Sequence, residues 1–204
     1  MSLGVPTDQP VAAPRLILAS TSRYRADLLR RLHVDFEPCS PGTDEREIDG
    51  EAPAVRAARL AQDKAIAASA GVDDALVIGS DQVAELDGLL LDKPGTAAVA
   101  RAQLAASSGR VVHFHTAVCV IDTRNGQQHA FQDHTQVHFR RLLPAEIERY
   151  LDREQPFDCA GSFKCEGLGI SLFERIDNDD PTALIGLPMI ALSRLLRACG
   201  LAVP

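Results

Sequence analysis

The sequence predicts an α/β protein with a mixed sheet, because helical and strand patterns alternate along the chain and two hairpin signals interrupt the alternation. A strand over about 15–19, a helix over about 22–32 and a strand over about 34–39 form a β-α-β opening. Asp87-Gly88 and Asn125-Gly126 supply the positive-φ positions that tight hairpins need. We therefore expect a twisted sheet of parallel and antiparallel strands flanked by helices.

The other elements follow from periodicity and from helix-capping residues. Thr96 is suited to cap a helix because its side chain can accept from a free N–H of the first turn, and Pro144 is suited to a first helical turn. Another helix has a small-residue face that permits close packing on a sheet, formed by Ala54, Ala58, Ala61, Ala65 and Ala68. We predict helices over about 54–69, 97–106, 144–152 and 188–199, the strand "ALVIG" over 75–79, and Gly-rich strands over 157–175.

The hairpin around Asn125-Gly126 carries several histidines. A two-residue turn there would place His113 opposite His138, with His115 on the same face. Three imidazoles could bind a transition metal, but no neighbouring carboxylate or cysteine completes a ligand set. An exposed polar strand face is the simpler interpretation.

Chain length and composition indicate one domain in a reducing compartment. We expect a flexible, Pro-containing segment over residues 1–14 and a single folding unit over 15–204, which is long enough to bury one substantial core. The five cysteines are odd in number and scattered, so neither a disulfide framework nor a zinc ribbon is predicted. The chain shows neither a signal-peptide pattern nor an apolar run of membrane-spanning length, so we expect a cytoplasmic protein that does not contact membranes.

The net charge restricts the class of binding partner. The 28 acidic and 21 basic residues give a formal charge of −7, which argues against binding polymeric nucleic acid, since that affinity comes mainly from neutralising phosphates. A small anionic ligand in a local cationic pocket remains compatible with this charge.

Four polar segments lie at the ends of apolar runs, where α/β proteins usually place ligands. They are "STSRYR" (20–25), "TDER" (43–46), "GSDQ" (79–82) and "LDKP" (91–94). In the first, Ser20, Thr21 and Ser22 can cap the following helix, whose first N–H groups favour an anion, and Arg25 in the first turn can clamp it. When this motif is taken alone, ordinary helix capping is the more common explanation of such a turn.

The remaining segments supply carboxylates and ammonium groups. We expect Asp81 to close the strand "ALVIG" and to direct its carboxylate into a crevice as a general base or a Mg²⁺ ligand, with Glu45 as a second oxygen donor. Lys64 and Lys93 could neutralise the charge of phosphates. This set suits a metal–polyphosphate complex, although structural salt bridges are the alternative for each pair.

Several ordered blocks resemble those of one known family. "LILASTSRYR", "SPGTDE", "AQDKA", "IGSDQV", "LDKP", "AGSFKCEGLGISLFERI" and "IGLPMIAL" look like successive motifs of the Maf family of nucleoside triphosphate pyrophosphatases, from about Arg15 to Leu196. Gln82 together with "KCEG" resembles the subgroup that acts on 7-methyl-GTP. The resemblance implies an ITPase-like fold with two lobes around a central nucleotide-binding cleft. It also implies hydrolysis between the α- and β-phosphates with Mg²⁺ or Mn²⁺.

The resemblance also assigns roles by position. Asp81 matches the proton acceptor of the family. The matching phosphate- and metal-handling positions are Ser20, Ser22, Arg25, Glu45, Lys64 and Lys93, with Glu45 and Asp81 as the metal ligands. The positions that set base preference are Tyr24, Gln82 and Glu166. The chain departs from the subgroup in having Tyr24 where Trp is usual and Arg23 where Pro is common.

A second class of function remains open at this point. A nucleotide-binding regulatory protein linked to cell division, with incidental turnover, would carry the same binding residues. Only an enzyme requires Asp81 beside the α-phosphate. A homodimer is expected from the resemblance alone.

Overall fold

The structure, a computed structural model, describes residues 13–204. Nearly all of the flexible segment expected over residues 1–14 therefore lies outside the described residues. Within the described range the chain forms seven strands and five α-helices in an alternating order. These are β1 (Arg15–Ala19), α1 (Arg23–Arg30), β2 (Glu37–Cys39), α2 (Pro53–Ser69), β3 (Ala75–Leu86), β4 (Leu89–Leu90), α3 (Ala97–Ser107), β5 (Val111–Asp122), β6 (Gln127–Phe139), α4 (Pro144–Glu154), β7 (Phe173–Asp177) and α5 (Met189–Ala198).

The strands form one mixed sheet, which confirms the predicted fold class. Its order is β2-β1-β3-β5-β6-β7, with β4 added to β3. β1 pairs in parallel with both β2 and β3, whereas the other pairings are antiparallel. The parallel part comes from the β-α-β opening and the antiparallel part from the hairpins, as the two kinds of sequence signal require.

A gap along one edge of β3 creates the cleft. On this edge β1 ends beside Gly79 and β4 begins beside Glu85, while β5 continues along the opposite edge. Within the described chain, residues 80–83 therefore have no strand neighbour on the β1 side. A crevice at the carboxyl end of a parallel strand is where open α/β sheets bind ligands.

Two hydrophobic clusters on the same face of the long strands form the two lobes. One cluster packs α1 and α5 against residues such as Leu76 and Ile78. The other packs α3 and α4 against residues such as Ala84 and Phe114. Between them this face carries polar side chains, Ser80, Gln82 and Thr116. The expected arrangement of two lobes around a central cleft follows from this apolar-polar-apolar order along β3 and β5.

The opposite face of the sheet is covered by α2 at very short range. A Cβ added to Gly79 would lie 2.2 Å from the carbonyl oxygen of Ala61 and 2.6 Å from the backbone nitrogen of Ala65. The small-residue face predicted for this helix is therefore real, but its buried members are Ala57, Ala61 and Ala65, whereas the predicted Ala58 is exposed.

Two strand predictions were wrong in their extent. β3 does not end before Asp81 but runs on to Leu86, because β5 pairs with it as far as Glu85 and supplies the hydrogen bonds that a polar stretch alone would not predict. The Gly-rich segment 157–175 forms two 3-10 turns, Ala160–Ser162 and Leu168–Leu172, before β7. Its glycines permit close packing instead, since a Cβ on Gly169 would lie 2.3 Å from the carbonyl oxygen of Lys164.

The register of the histidine hairpin also differs from the prediction. Asp122 pairs with Gln127, so the loop has four residues instead of two, and His115 lies opposite His134. His134 stacks on His115 with ring centroids 4.9 Å apart, and its Nε2 lies 3.0 Å from Nδ1 of His113. His138, which the sequence predicted to lie opposite His113, instead contacts Asp177 on β7.

None of the helices in residues 13–204 has both the length and the apolar character needed to span a bilayer.

Candidate active site

The turn between β1 and α1 forms one wall of a cleft of about 650 Å³. Ser22 is the N-cap of α1, and its side chain accepts from the backbone N–H of Arg25 at 3.4 Å. Ser20 Oγ accepts from the backbone N–H of Ser22 at 3.1 Å and from Arg25 Nη1 at 3.4 Å. All three residues line the cleft. The capping interpretation and the anion-binding interpretation are therefore compatible, because the same side chains cap the helix and face the cavity.

The guanidinium of Arg25 is held by the opposite wall. Its Nε donates to the carbonyl oxygen of Gly186 at 2.8 Å, and Ser80 Oγ donates to the same oxygen at 3.1 Å. Burial lowers the pKa of Arg25, although the charges of Asp81 and Glu45 act in the opposite direction. Because a desolvated cation is stabilised by a nearby negative charge, this position favours an anionic ligand.

A buried ammonium joins the two carboxylates predicted for the site. Lys64 on α2 donates from Nζ to Asp81 Oδ1 at 2.6 Å and contacts Glu45 Oε1 at 2.7 Å. Its side chain is 7% exposed, compared with 10% for Asp81 and 56% for Glu45. The close contact of α2 with Gly79 brings Lys64 over this part of β3. An ammonium has three N–H donors, so Lys64 retains one for a ligand.

Glu45 belongs to the same charged cluster. Its partial burial by itself would raise its pKa, but the hydrogen bond from Lys64 and the charges of Lys64, Lys93 and Arg25 outweigh that effect and lower it. Glu45 is therefore an anion at neutral pH, with three cations close enough to act on it.

Asp81 lies deeper than the sequence predicted. Glu45, Lys64 and Lys93 line the cleft, whereas Asp81 lies behind the Lys64 ammonium and does not form part of the cleft wall. The reason is its position within a continuous strand, where alternate side chains point to opposite faces. Asp81 therefore points toward α2, while its neighbour Gln82 points into the cleft.

Gln82 is anchored on the cleft side by several acceptors. Its Nε2 donates to the carbonyl oxygens of Ala183 and Leu184 at 2.9 and 3.1 Å, and it also contacts Thr116 Oγ1 at 3.0 Å. With the amide nitrogen fixed in this way, the amide oxygen is left to face the cavity as an acceptor.

Tyr24 and its neighbours form a polar group at the cleft margin. The Tyr24 hydroxyl donates to Asp158 Oδ2 at 3.1 Å and accepts from Arg23 at 2.7 Å. The Arg23 guanidinium lies over the Tyr24 ring, 4.8 Å from its centroid, and pairs with Asp158 at 3.4 Å. Arg23 therefore already occupies one aromatic face of this residue.

Glu166 lies in the segment that closes the cleft from the other lobe. It lines the cavity with Cys165, whose thiol donates to Glu166 Oε2 at 3.5 Å. Burial, together with the charge of Glu166, raises the pKa of Cys165 to about 12. Burial likewise raises the pKa of Cys159 to about 12. Both thiols are therefore protonated at neutral pH, which agrees with the absence of thiol chemistry from the predicted mechanism.

The carboxylates at the cleft fit the Mg²⁺ or Mn²⁺ ion that the sequence predicts. Mg²⁺ uses few protein oxygens, because water and phosphates complete its coordination shell. Glu45 and Asp81 supply two carboxylates that share one ammonium, which fits such an ion. Across residues 13–204, no group of three or more His, Cys, Asp or Glu side chains could hold a metal. The residues therefore fit a metal bound together with phosphates better than an all-protein metal centre.

Comparison with known proteins establishes the family. A family model described as "Maf-like protein" matches residues 15–199. The chain belongs to the Maf family. A protein of Xanthomonas oryzae pv. oryzae (strain MAFF 311018) named "7-methyl-GTP pyrophosphatase" is 60% identical over 191 residues, which cover 94% of this chain and all of that protein. One of the same name from Paraburkholderia xenovorans (strain LB400) is 56% identical over 92% of this chain and 93% of that protein.

A solved structure is also similar in part. The HAM1 protein of Coxiella burnetii aligns with 93% of this chain and 100% of that chain at a TM-score of 0.47 and 14% identity.

The structure brings together nearly all the residues singled out from the sequence. Nine of them line one cleft, namely Ser20, Ser22, Tyr24, Arg25, Glu45, Lys64, Gln82, Lys93 and Glu166, and Asp81 contacts this set through Lys64. Asp158 and the carbonyl of Gly186 are not among the site residues predicted from the sequence. No local pattern marks either residue, since both become relevant only through contacts with α1.

Proposed function

We propose that this protein is a nucleoside triphosphate pyrophosphatase that hydrolyses 7-methyl-GTP to the nucleoside monophosphate and pyrophosphate. The family membership and the names of relatives at 55–60% identity support the reaction and the substrate. The single observation that carries the catalytic assignment is the Lys64 ammonium bonded to Asp81 and Glu45 at the cleft. A site built only to bind a nucleotide needs no buried carboxylate beside its phosphate-binding cations.

The triphosphate is bound at the β1–α1 turn in this proposal. Ser20, Ser22 and the amino terminus of α1 hold the phosphate oxygens, and Arg25 and Lys93 neutralise their charge. Lys64 contributes its third N–H. These cations surround the position where negative charge accumulates on the leaving pyrophosphate, which is where fixed charges lower the barrier most.

Asp81 is the proton acceptor in the hydrolytic step. The oxygen of a water molecule attacks the α-phosphorus, its proton passes to the Asp81 carboxylate, and the bond between the α-phosphorus and the bridging oxygen breaks. Because Lys64 covers Asp81, we expect this ammonium to turn toward the phosphates when the nucleotide binds, which exposes the carboxylate to the water.

Glu45 and Asp81 would also hold a Mg²⁺ or Mn²⁺ ion, which would supply further charge neutralisation at the phosphates.

The base is recognised at the other end of the cleft. Methylation at N7 gives guanine a positive charge, which an aromatic face and a carboxylate both stabilise. Tyr24 supplies the aromatic face, and Glu166 accepts hydrogen bonds from the base and offsets its charge. Gln82 presents its amide oxygen to the base.

The alternative, a nucleotide-binding regulatory protein linked to cell division, is not favoured by the relatives' names. A homodimer, a cytoplasmic location and the lack of binding to polymeric nucleic acid or membranes stay predictions.

The test is pyrophosphate release from the four nucleoside triphosphates, their deoxy forms and 7-methyl-GTP, with Mg²⁺ or Mn²⁺. We expect the fastest turnover with 7-methyl-GTP and a loss of at least about 100-fold in Asp81→Asn. Asp73→Asn, an exposed carboxylate outside the cleft, is the matched control and should retain full activity. Nucleotide binding without metal-dependent turnover by the wild type would favour the regulatory function, and near-normal turnover by a folded Asp81→Asn would remove Asp81 from the mechanism.

A further inference from the structure

The hydroxyl of Thr43 stands out as a buried polar atom without a partner. Among the described residues, Oγ1 of Thr43 is the only buried side-chain nitrogen or oxygen for which the structure gives no hydrogen bond. Thr43 lies in the loop between β2 and α2 and lines the cleft. It belongs to the polar segment 43–46, of which the proposed mechanism uses only Glu45.

A buried hydroxyl without a hydrogen-bond partner lowers the stability of the folded protein. Removing a hydroxyl from water without giving it a partner destabilises the folded protein, and native structures rarely retain such a group without a reason. Valine has nearly the same shape and would fill the position without this cost. The carboxylate of Asp44, the next residue, accepts from the backbone N–H of Arg46 at 3.0 Å and does not satisfy the hydroxyl.

The surroundings indicate which ligand would supply the missing partner. Thr43 is two residues from Glu45, on which Lys64, Lys93 and Arg25 act electrostatically. Thr43 lines the same cleft as these four charged residues. A ligand bound at the cationic part of the cleft would therefore lie beside Thr43.

We propose that Thr43 is a substrate-binding residue whose hydroxyl donates a hydrogen bond to a phosphate oxygen of the bound nucleoside triphosphate. Oγ1 is buried in the free protein, so the contact forms only when this side chain turns toward the bound nucleotide, which then satisfies the hydroxyl. This inference rests on the proposed function, since it needs a nucleotide in this cleft.

The test compares Thr43→Val, which removes the hydroxyl and keeps the shape, with Thr43→Ser, which keeps the hydroxyl. We expect Thr43→Val to lower kcat/KM for 7-methyl-GTP by about 10- to 100-fold, because a hydrogen bond to a charged oxygen is lost. Thr43→Ser should stay within about threefold of the wild type. The urea midpoint of Thr43→Val should equal or exceed that of the wild type, since no bond within the protein is lost. A lower midpoint would show that the hydroxyl is bonded inside the protein and would contradict the proposal.

Calorimetric titration with Mg²⁺ and inorganic pyrophosphate, and separately with 7-methylguanosine, locates the contact. Thr43→Val should weaken pyrophosphate binding by about 10-fold and leave 7-methylguanosine binding unchanged. The reverse pattern would overturn the phosphate contact, and wild-type affinity for both ligands would overturn any role in binding. If the wild type hydrolyses no nucleotide but Thr43→Val still loses pyrophosphate affinity, the proposed function fails and the Thr43 contact stands.

Discussion

Glu166 and Tyr24 are the residues on which discrimination between 7-methyl-GTP and GTP depends in our proposal. A methylated guanine differs from guanine mainly in its positive charge, so the side chains that respond to charge should control the ratio of the two activities. Both residues line the cleft, but they come from different lobes. Glu166 can therefore be changed without altering the β1–α1 turn that we propose binds the phosphates.

Glu166→Gln tests the carboxylate. The substitution keeps the shape of the side chain and removes its charge, so we expect the ratio of kcat/KM for 7-methyl-GTP to that for GTP to fall by about 5- to 50-fold. The measurement is pyrophosphate release with each substrate under pseudo-first-order conditions. Glu174→Gln, an exposed carboxylate on β7, is the control. An unchanged ratio in Glu166→Gln would remove this residue from base selection.

Arg23 should oppose the binding of a cationic base. Its guanidinium stacks on Tyr24 at 4.8 Å and pairs with Asp158, so it occupies the aromatic ring and adds a like charge. We expect Arg23→Ala to increase the preference for 7-methyl-GTP over GTP by about 2- to 5-fold, the scale of an exposed cation–π contact. Arg23→Lys, which keeps a charge, should change it less. A preference that falls in Arg23→Ala would show that Arg23 assists base binding.

At the scale of elements, the contact between α2 and β3 fixes the position of Lys64 against Asp81. Gly79 allows the helix backbone to approach the strand, and this approach places the buried Lys64 on Asp81 two residues further along β3. A residue with a Cβ at position 79 would collide with the backbone of α2, so only glycine permits this approach.

Gly79→Ala should therefore damage both stability and activity. The added Cβ would lie 2.2 Å from the Ala61 carbonyl oxygen, so the helix must move away from the sheet. We expect a loss of at least about 2 kcal/mol in the free energy of unfolding, measured by urea denaturation, and a lower kcat. Ala58→Gln on the exposed side of α2 should change the stability by less than about 0.5 kcal/mol. Wild-type stability in Gly79→Ala would show that α2 can move away from β3 without a loss of stability, and it would contradict this prediction.

The sequence predicted most helices and strands because their signals are local. Ser22 and Thr96 cap α1 and α3 through their own side chains, as their positions before apolar-periodic segments indicate. The segment 157–175 was misassigned because its glycines serve close packing with Lys164 and Glu154, which are contacts that no local pattern reveals. The two-residue turn at Asn125-Gly126 failed because Asp122 accepts from the backbone N–H and side chain of Arg124 and closes a longer loop.

At the scale of the molecule, that same loop links the central hairpin to the last helix. Asp122 is buried and accepts from Arg124 Nε and Nη2 at 2.8 and 2.7 Å, while Arg124 Nη2 also donates to the carbonyl oxygen of Cys199 at 2.7 Å. The hydrogen bond from the Arg124 side chain is the largest effect on the pKa of Asp122, and it lowers that pKa although burial acts the other way.

The interaction between Asp122 and Arg124 predicts a specific pH dependence of the free energy of unfolding. Because the Asp122 pKa is lower in the folded protein than its ordinary 3.8, its contribution is fully present above pH 3.8 and is lost as the pH falls through the folded value. We expect Asp122→Asn to lower the free energy of unfolding by about 1–3 kcal/mol at pH 7, with a difference from the wild type that shrinks below pH 3.8. Urea denaturation from pH 2.5 to 7 measures it, with Asp152→Asn, an exposed residue of α4, as the control. A difference that stays constant over this range would contradict the assignment.

The sequence by itself determined the fold class, most of the elements, the family and the set of polar residues that the fold gathers at one cleft, because periodicity, caps and ordered motifs are properties of neighbouring residues. Tertiary structure alone decided which face each residue serves and what it contacts. The pairing of β3 with β5 made Asp81 a residue within a strand, hidden behind Lys64, rather than the exposed end of one. The register of β5 and β6 placed Gln136 rather than the predicted His138 opposite His113, and it brought His134 to His115. The physical reason is that strand extent, strand register and a backbone contact such as that at Gly79 all depend on partners distant in sequence.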